Sequence, residues 1–96
     1  MAFRLDVHLD DYEYRGFRDG QGEKGPWLSL VLENPKDSRQ LDVSVPRDQH
    51  AEIYKMGLQK GYHLSLDVVA YAGNEYSRIS LVGITNVVDL NGEVVL

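Results

Sequence analysis

The residues with the most chemical potential lie around the chain's single tryptophan. Trp27 opens the alternating run "WLSLVLE" and follows "RGFRDGQGEKGP", in which aromatic and basic residues are interleaved with glycine. Aromatic rings on an exposed face can stack on planar bases, each stack contributing about 1–3 kcal/mol whatever the base. Arginine and lysine beside them can hold phosphate oxygens. If Leu28, Leu30 and Leu32 point into a core, then Trp27, Ser29 and Val31 point away from it. The same parity argument makes Tyr71 and Tyr76 outward or rim aromatics and leaves Tyr12, Tyr14 and Phe17 near a bend. Arg15, Arg18, Lys24, Arg39 and Arg78 are the cations available for phosphate. Against them stand Glu13, Asp19 and Glu23, so residues 12–27 carry no net charge. The competing reading of Trp27 is a ring packed under the first turn or a helix.

Other chemistries find little support. His8, His50 and His63 fall on different elements without paired spacing, and the serines lack the context of a strained nucleophile turn. The glycines at 20, 22 and 25 have no Gly-Lys-Ser/Thr sequence and lead into a strand, so they do not form a P-loop. Asp10, Asp11 and Glu13 are adjacent acids of the kind that is usually solvated or turn-forming. The chain has no cysteine, which excludes disulfides, thiolate metal sites and cysteine nucleophiles. The expectation is a binding protein without catalytic residues, metal or cofactor.

These residues need a scaffold, and 96 residues suffice for one small domain. Hydrophobic residues at 43% and charged residues at 26% match an ordinary globular domain. A net charge of −5 argues against broad attraction to duplex phosphate, so nucleic acid would need a local site. "MAFRLDVHLDD" is interrupted by charges too often for a signal peptide, and with the lack of cysteine this predicts a cytoplasmic protein that stays clear of membranes.

"FRLDVHL" predicts a first strand with Phe3, Leu5, Val7 and Leu9 inward, and the parity break at "DDY" predicts a bulge or sharp bend at Asp10 and Asp11. Gly20, Gly22, Gly25 and Pro26 predict a flexible connection to strand two. "RQLDVSV" predicts strand three, with Leu41, Val43 and Val45 inward. "RDQHAEIYKMGLQKG" changes period and predicts a short helix, capped by Asp48 and ending at Gly57 or Gly61, with Ala51, Ile53, Tyr54, Met56 and Leu58 as its apolar residues. "YHLSLDVVAY" and "EYSRISLVGI" predict strands four and five. In "VVDLNGEVVL" the Asn91-Gly92 pair predicts a C-terminal hairpin.

Three strands, one short helix and two further strands, with a bent first strand and a glycine-rich first turn, resemble the OB-fold, an all-β five-stranded Greek-key barrel. "RGFRDGQGEKGPWLSLVLE" and "LQKGYHLSLDVVAYAGNEYSRISL" are similar to the entry segment and final hairpin of single-stranded-DNA-binding proteins of phages and conjugative or mobile elements. The resemblance implies a barrel over residues 1–86 with a hairpin extension at 87–96. It also implies a single-stranded-DNA site drawn from Tyr14, Arg15, Phe17, Arg18, Lys24, Trp27, Arg39, Tyr71, Tyr76 and Arg78, and partners among replication or transfer proteins. Homo-oligomerisation through the hairpin is the further expectation. The alternative on the same scaffold is a non-catalytic protein–protein adaptor, favoured by the acidic balance and the apolar C-terminal segment.

Overall fold

The computed structural model describes residues 3–72 and 77–96. Among them are the strands β1 (Phe3–Gly22), β2 (Gly25–Glu33), β3 (Gln40–Ser44), β4 (His63–Ala72) and β5 (Ser77–Val88). A 3-10 turn at Arg47–Gln49 runs into the helix α1 (His50–Met56) between β3 and β4. The protein is therefore mostly β, and its sheet closes into a ring in the order β1-β2-β3-β5-β4. All neighbours are antiparallel except β3 and β5, which meet in parallel at Ser44 and Ser80.

Closure depends on β1 serving two neighbours. Its first part, Phe3–Glu13, pairs with β4, and its second part, Glu13–Gly22, pairs with β2. The change falls where the parity of the sequence breaks. The register shifts between Leu9 and Tyr12, and Asp11 takes φ 57°, a left-handed conformation that aspartate tolerates better than most residues. Ser65 on β4 secures the distortion, accepting from the Asp11 amide at 3.2 Å and donating to the Asp10 carboxylate at 2.8 Å. A second shift between Tyr14 and Gly16 adds to the curvature.

Inside the ring, Leu28, Leu30 and Leu32 of β2 meet Val43, Leu64, Leu66, Val68, Leu81 and Val87, all essentially inaccessible to solvent. Period-two alternation carries every one of them inward. Burying each leucine contributes about 1.5–3 kcal/mol relative to leaving it exposed.

Several expectations need correction. Phe3 and Leu5 share the face of Val7 and Leu9 but are 64% and 56% exposed, because the start of β1 projects past the packed interior. The glycine-rich connection is not a flexible loop: β1 continues to Gly22, β2 starts at Gly25, and only Glu23 and Lys24 form the turn. Asp48 does not cap α1; it lies inside the 3-10 turn, and α1 starts at His50 with no side-chain cap. The helix does end at Gly57, whose φ of 63° favours glycine. Of the helix's apolar positions only Ile53 is buried, so α1 covers the ring at one end and adds little to its core.

The C-terminus turns back as the Asn91-Gly92 pair predicts. The Asp89 carboxylate accepts from the Asn91 and Glu93 amides, each at 2.9 Å, and the chain returns along β5 with a bridge between Val88 and Val94. Val87 itself lies in the core, and β5 runs on to Val88.

Candidate nucleic-acid interface

Trp27 faces Gly20 across the β1–β2 ladder, on the outward side of both strands. Its indole lies over the glycine backbone. A Cβ on Gly20 would stand 2.8–2.9 Å from three indole atoms, and one on Gly22 would be 3.6 Å from a fourth. Only glycine lets the ring come this close. The result is a ring backed on one side by β1 and 45% exposed.

Beside the ring the outward face carries a row of serines. Ser29 pairs with Arg18 on one side and Ser44 on the other, and Ser44 in turn meets Ser80. Three serines thus line up across β2, β3 and β5 on the outward face. Two residues before Ser80 comes Arg78, whose guanidinium carbon stands 5.7 Å from the centre of the Tyr71 ring, within the range of a cation–π contact. From Trp27 to Arg78 the register counts two strand spacings across and four residues along, about 16 Å if the surface were flat. Arg18 crosses part of this surface and pairs with Asp42 at 3.4 Å; both side chains are exposed, so the pair is weak and exchangeable.

Not every expected site residue belongs to this face. Tyr14 is 3% exposed and part of the core, so it is removed from the candidate site; burial raises the pKa of its hydroxyl. Phe17 is exposed but lies opposite Leu30 on the inward side, edge-on to Tyr54 of α1 with ring centres 5.7 Å apart. Arg15 is paired with Glu13 at 3.1 Å, and Arg39 with Asp37 at 3.8 Å in the β2–β3 turn, at the end of β2 remote from Trp27. Lys24 occupies the β1–β2 turn close to Trp27 and is exposed. Tyr76 lies outside the described residues. Trp27, Arg18 and Lys24 thus come together at one end, and Tyr71 and Arg78 at the other.

Residues that sequence reasoning missed complete the surroundings. Arg47 bonds to the carbonyl of Lys24 and packs against Gly25, bracing the turn. Beside the β1–β2 turn a groove is lined by Asp19, Gln21, Pro26, His50 and Tyr54 as well as Gly20 and Trp27. There Tyr54 donates to Asp19 at 2.7 Å, and this hydrogen bond to a carboxylate is the main reason its pKa is raised. The three serines were visible as outward positions of their strands; what the sequence did not reveal is the β3–β5 pairing that aligns them.

The histidines remain apart from one another. His8 contacts Asp67 and His63 contacts Asp11, each at 2.7 Å, while His50 bonds the Val45 carbonyl at 2.9 Å. Among the described residues no three histidines or acids come together as a metal site, and no helix is long and apolar enough to cross a membrane. Comparison with protein-family models, with curated proteins and with solved structures returned no match.

Proposed function

We propose that this chain is an OB-fold protein that binds single-stranded DNA without catalysing a reaction, as an oligomeric cytoplasmic accessory in the replication or transfer of a phage or mobile element. The ring order, the bent β1 and the helix between β3 and β4 support the OB assignment. The observation that carries the ligand is Trp27 lying over glycine backbone with its other face open, beside a strip of serines on β2 and β3. On an OB barrel that sheet face and the first and last loops are where oligonucleotides bind. Bases stack on Trp27, serine hydroxyls and Arg18 meet the backbone, and Arg78 with Tyr71 receives the strand further along.

A second reading, the protein–protein adaptor, draws on the ion pairs. Arg15, Arg18 and Arg39 each have an acidic neighbour within 4 Å, which lowers the positive potential that DNA would follow. Fluorescence titration with single-stranded oligonucleotides at low and moderate salt separates the two, because Trp27 is the only tryptophan. Saturable quenching supports the DNA reading; unchanged emission at low salt removes it and leaves the adaptor.

A further inference from the structure

We propose that the groove between the β1–β2 hairpin and α1 holds a guanidinium, and that its occupant is an arginine side chain on a basic segment of a partner protein, whatever ligand the Trp27 face takes. The groove has a volume of about 440 Å³, the size of a small-ligand site. Alternation along β1 puts Asp19 and Gln21 on one face of the strand and Gly20, under the indole, on the other. Asp19 and Gln21 line the groove from the hairpin, while His50 and Tyr54, four residues apart and so on one side of α1, line it from the helix. Tyr54 is held at two points: its hydroxyl donates to Asp19 Oδ2 at 2.7 Å, and its ring stands edge-on to Phe17 with centres 5.7 Å apart. A ring fixed in this way is ordered before any ligand arrives, which lowers the entropy cost of binding.

The lining selects a cation that carries several donors. With its hydrogen committed to Asp19, the Tyr54 oxygen is left as an acceptor. His50 Nε2 lies 2.9 Å from the Val45 carbonyl, which only accepts, so that nitrogen carries the hydrogen and Nδ1 of the neutral ring keeps a lone pair. Asp19 has a second oxygen, Oδ1, that takes no hydrogen bond among the described residues. No lysine or arginine lines the groove. A phosphate entering here meets the Asp19 carboxylate with no lining cation to offset it, which disfavours a nucleotide. Arginine matches the site on each count. Its planar fork presents two parallel N–H groups to the oxygens of one carboxylate, a geometry that a lysine ammonium lacks. Its remaining N–H groups match the acceptors on Tyr54 and His50, and its apolar stem matches Pro26 and the Tyr54 ring. Arginine is among the residues enriched as interface anchors, and the chain's net charge of −5 draws a basic partner.

The test is an NMR titration of the whole chain with a short capped peptide that carries one arginine among glycines and serines. Saturable shifts are expected at Asp19, Gln21, His50 and Tyr54. Two further peptides replace the arginine by lysine or by citrulline, its neutral isostere. Lysine should bind more weakly than arginine, and citrulline weaker than arginine by about tenfold or more. Asp19→Asn should weaken the arginine peptide by about tenfold or more as well. Absence of shifts at these residues at every peptide concentration overturns the proposal. So does citrulline that binds as tightly as arginine, or a folded Asp19→Asn chain with wild-type affinity. If Asp19→Asn loses its wild-type circular dichroism, the citrulline comparison on the unaltered chain decides. A guanosine dinucleotide that shifts the same residues at lower concentration than the arginine peptide also overturns it and makes the groove part of a nucleotide site.

Discussion

Trp27 and Gly20 act as a unit, and separate substitutions test them. Trp27→Ala removes a half-exposed ring, so it should change stability by no more than about 1 kcal/mol while weakening oligonucleotide binding by about 1–3 kcal/mol. Loss of the fold would instead make the ring part of the core. Gly20→Ala keeps the tryptophan but places a methyl 2.8 Å from it, so the indole must move off the strand. The expected result is a shifted tryptophan emission maximum and weaker binding in a folded protein, with an unchanged spectrum as the contrary outcome. Two tyrosines make a separate prediction. Burial raises the pKa of Tyr14, and the hydrogen bond to Asp19 is the first cause of the rise at Tyr54. Both neutral forms are favoured by folding. The stability they contribute is complete below the ordinary tyrosine value of about 10 and is lost as pH rises through the folded values. An ultraviolet titration should show tyrosine ionising above that range, with one such step absent in Tyr54→Phe; ordinary titration of every tyrosine would contradict this.

At the scale of elements the bend in β1 lets one strand close the ring, and Ser65 is its fastening. Ser65→Ala takes the hydroxyl from the Asp11 amide and the Asp10 carboxylate at a partly buried position. Leaving such groups without a partner costs about 1–3 kcal/mol. In urea denaturation the unfolding free energy should fall by that amount, seen as a lower midpoint with the slope unchanged, while an unaltered midpoint would show that water replaces the hydroxyl. The bend was legible in the sequence because "DDY" interrupts an alternation that is clean before it. The length of β1 was not, since glycine at 16, 20 and 22 is ordinarily a sign of loop rather than strand. Here those glycines serve a bulge and the underside of an indole, which only the facing strand makes sense of.

Across the whole molecule the acidic balance limits how binding can work. With Lys24, Arg78 and Arg18 as the cations on the proposed face, log K for a single-stranded oligonucleotide should fall against log salt with a slope of about −2. Single strands should bind more tightly than duplex, because stacking needs unpaired bases. A much steeper slope, or equal affinity for duplex, would point to another surface. The C-terminal segment adds a prediction about assembly. It returns to β5 of its own chain, and Leu90 rests on Gly61. Truncation after Val88 should cost about 1 kcal/mol of stability and leave the mass in solution unchanged. A loss of mass would assign the tail a role in assembly.

Alternation of apolar and polar residues determined by itself the central part of each strand, which way its side chains point, and that Trp27 opposes Leu28, Leu30 and Leu32, because side chains in a strand alternate strictly. The helix was announced by the change of period after Pro46, and the turn at Asn91-Gly92 by its chemistry. What depends on partners distant in sequence was decided only by the tertiary structure. Phe3 and Leu5 carry the signature of core residues yet are exposed, because the start of β1, although paired with β4, projects past the packed interior. Tyr14 and Phe17 look equivalent in sequence, but the bulge between Tyr14 and Gly16 and the position of α1 bury one and leave the other at the rim. Pairing of β3 with β5 aligns three serines from segments that no local pattern connects. Periodicity records which way a side chain points, while burial and alignment depend on what the closing of the ring brings to face it.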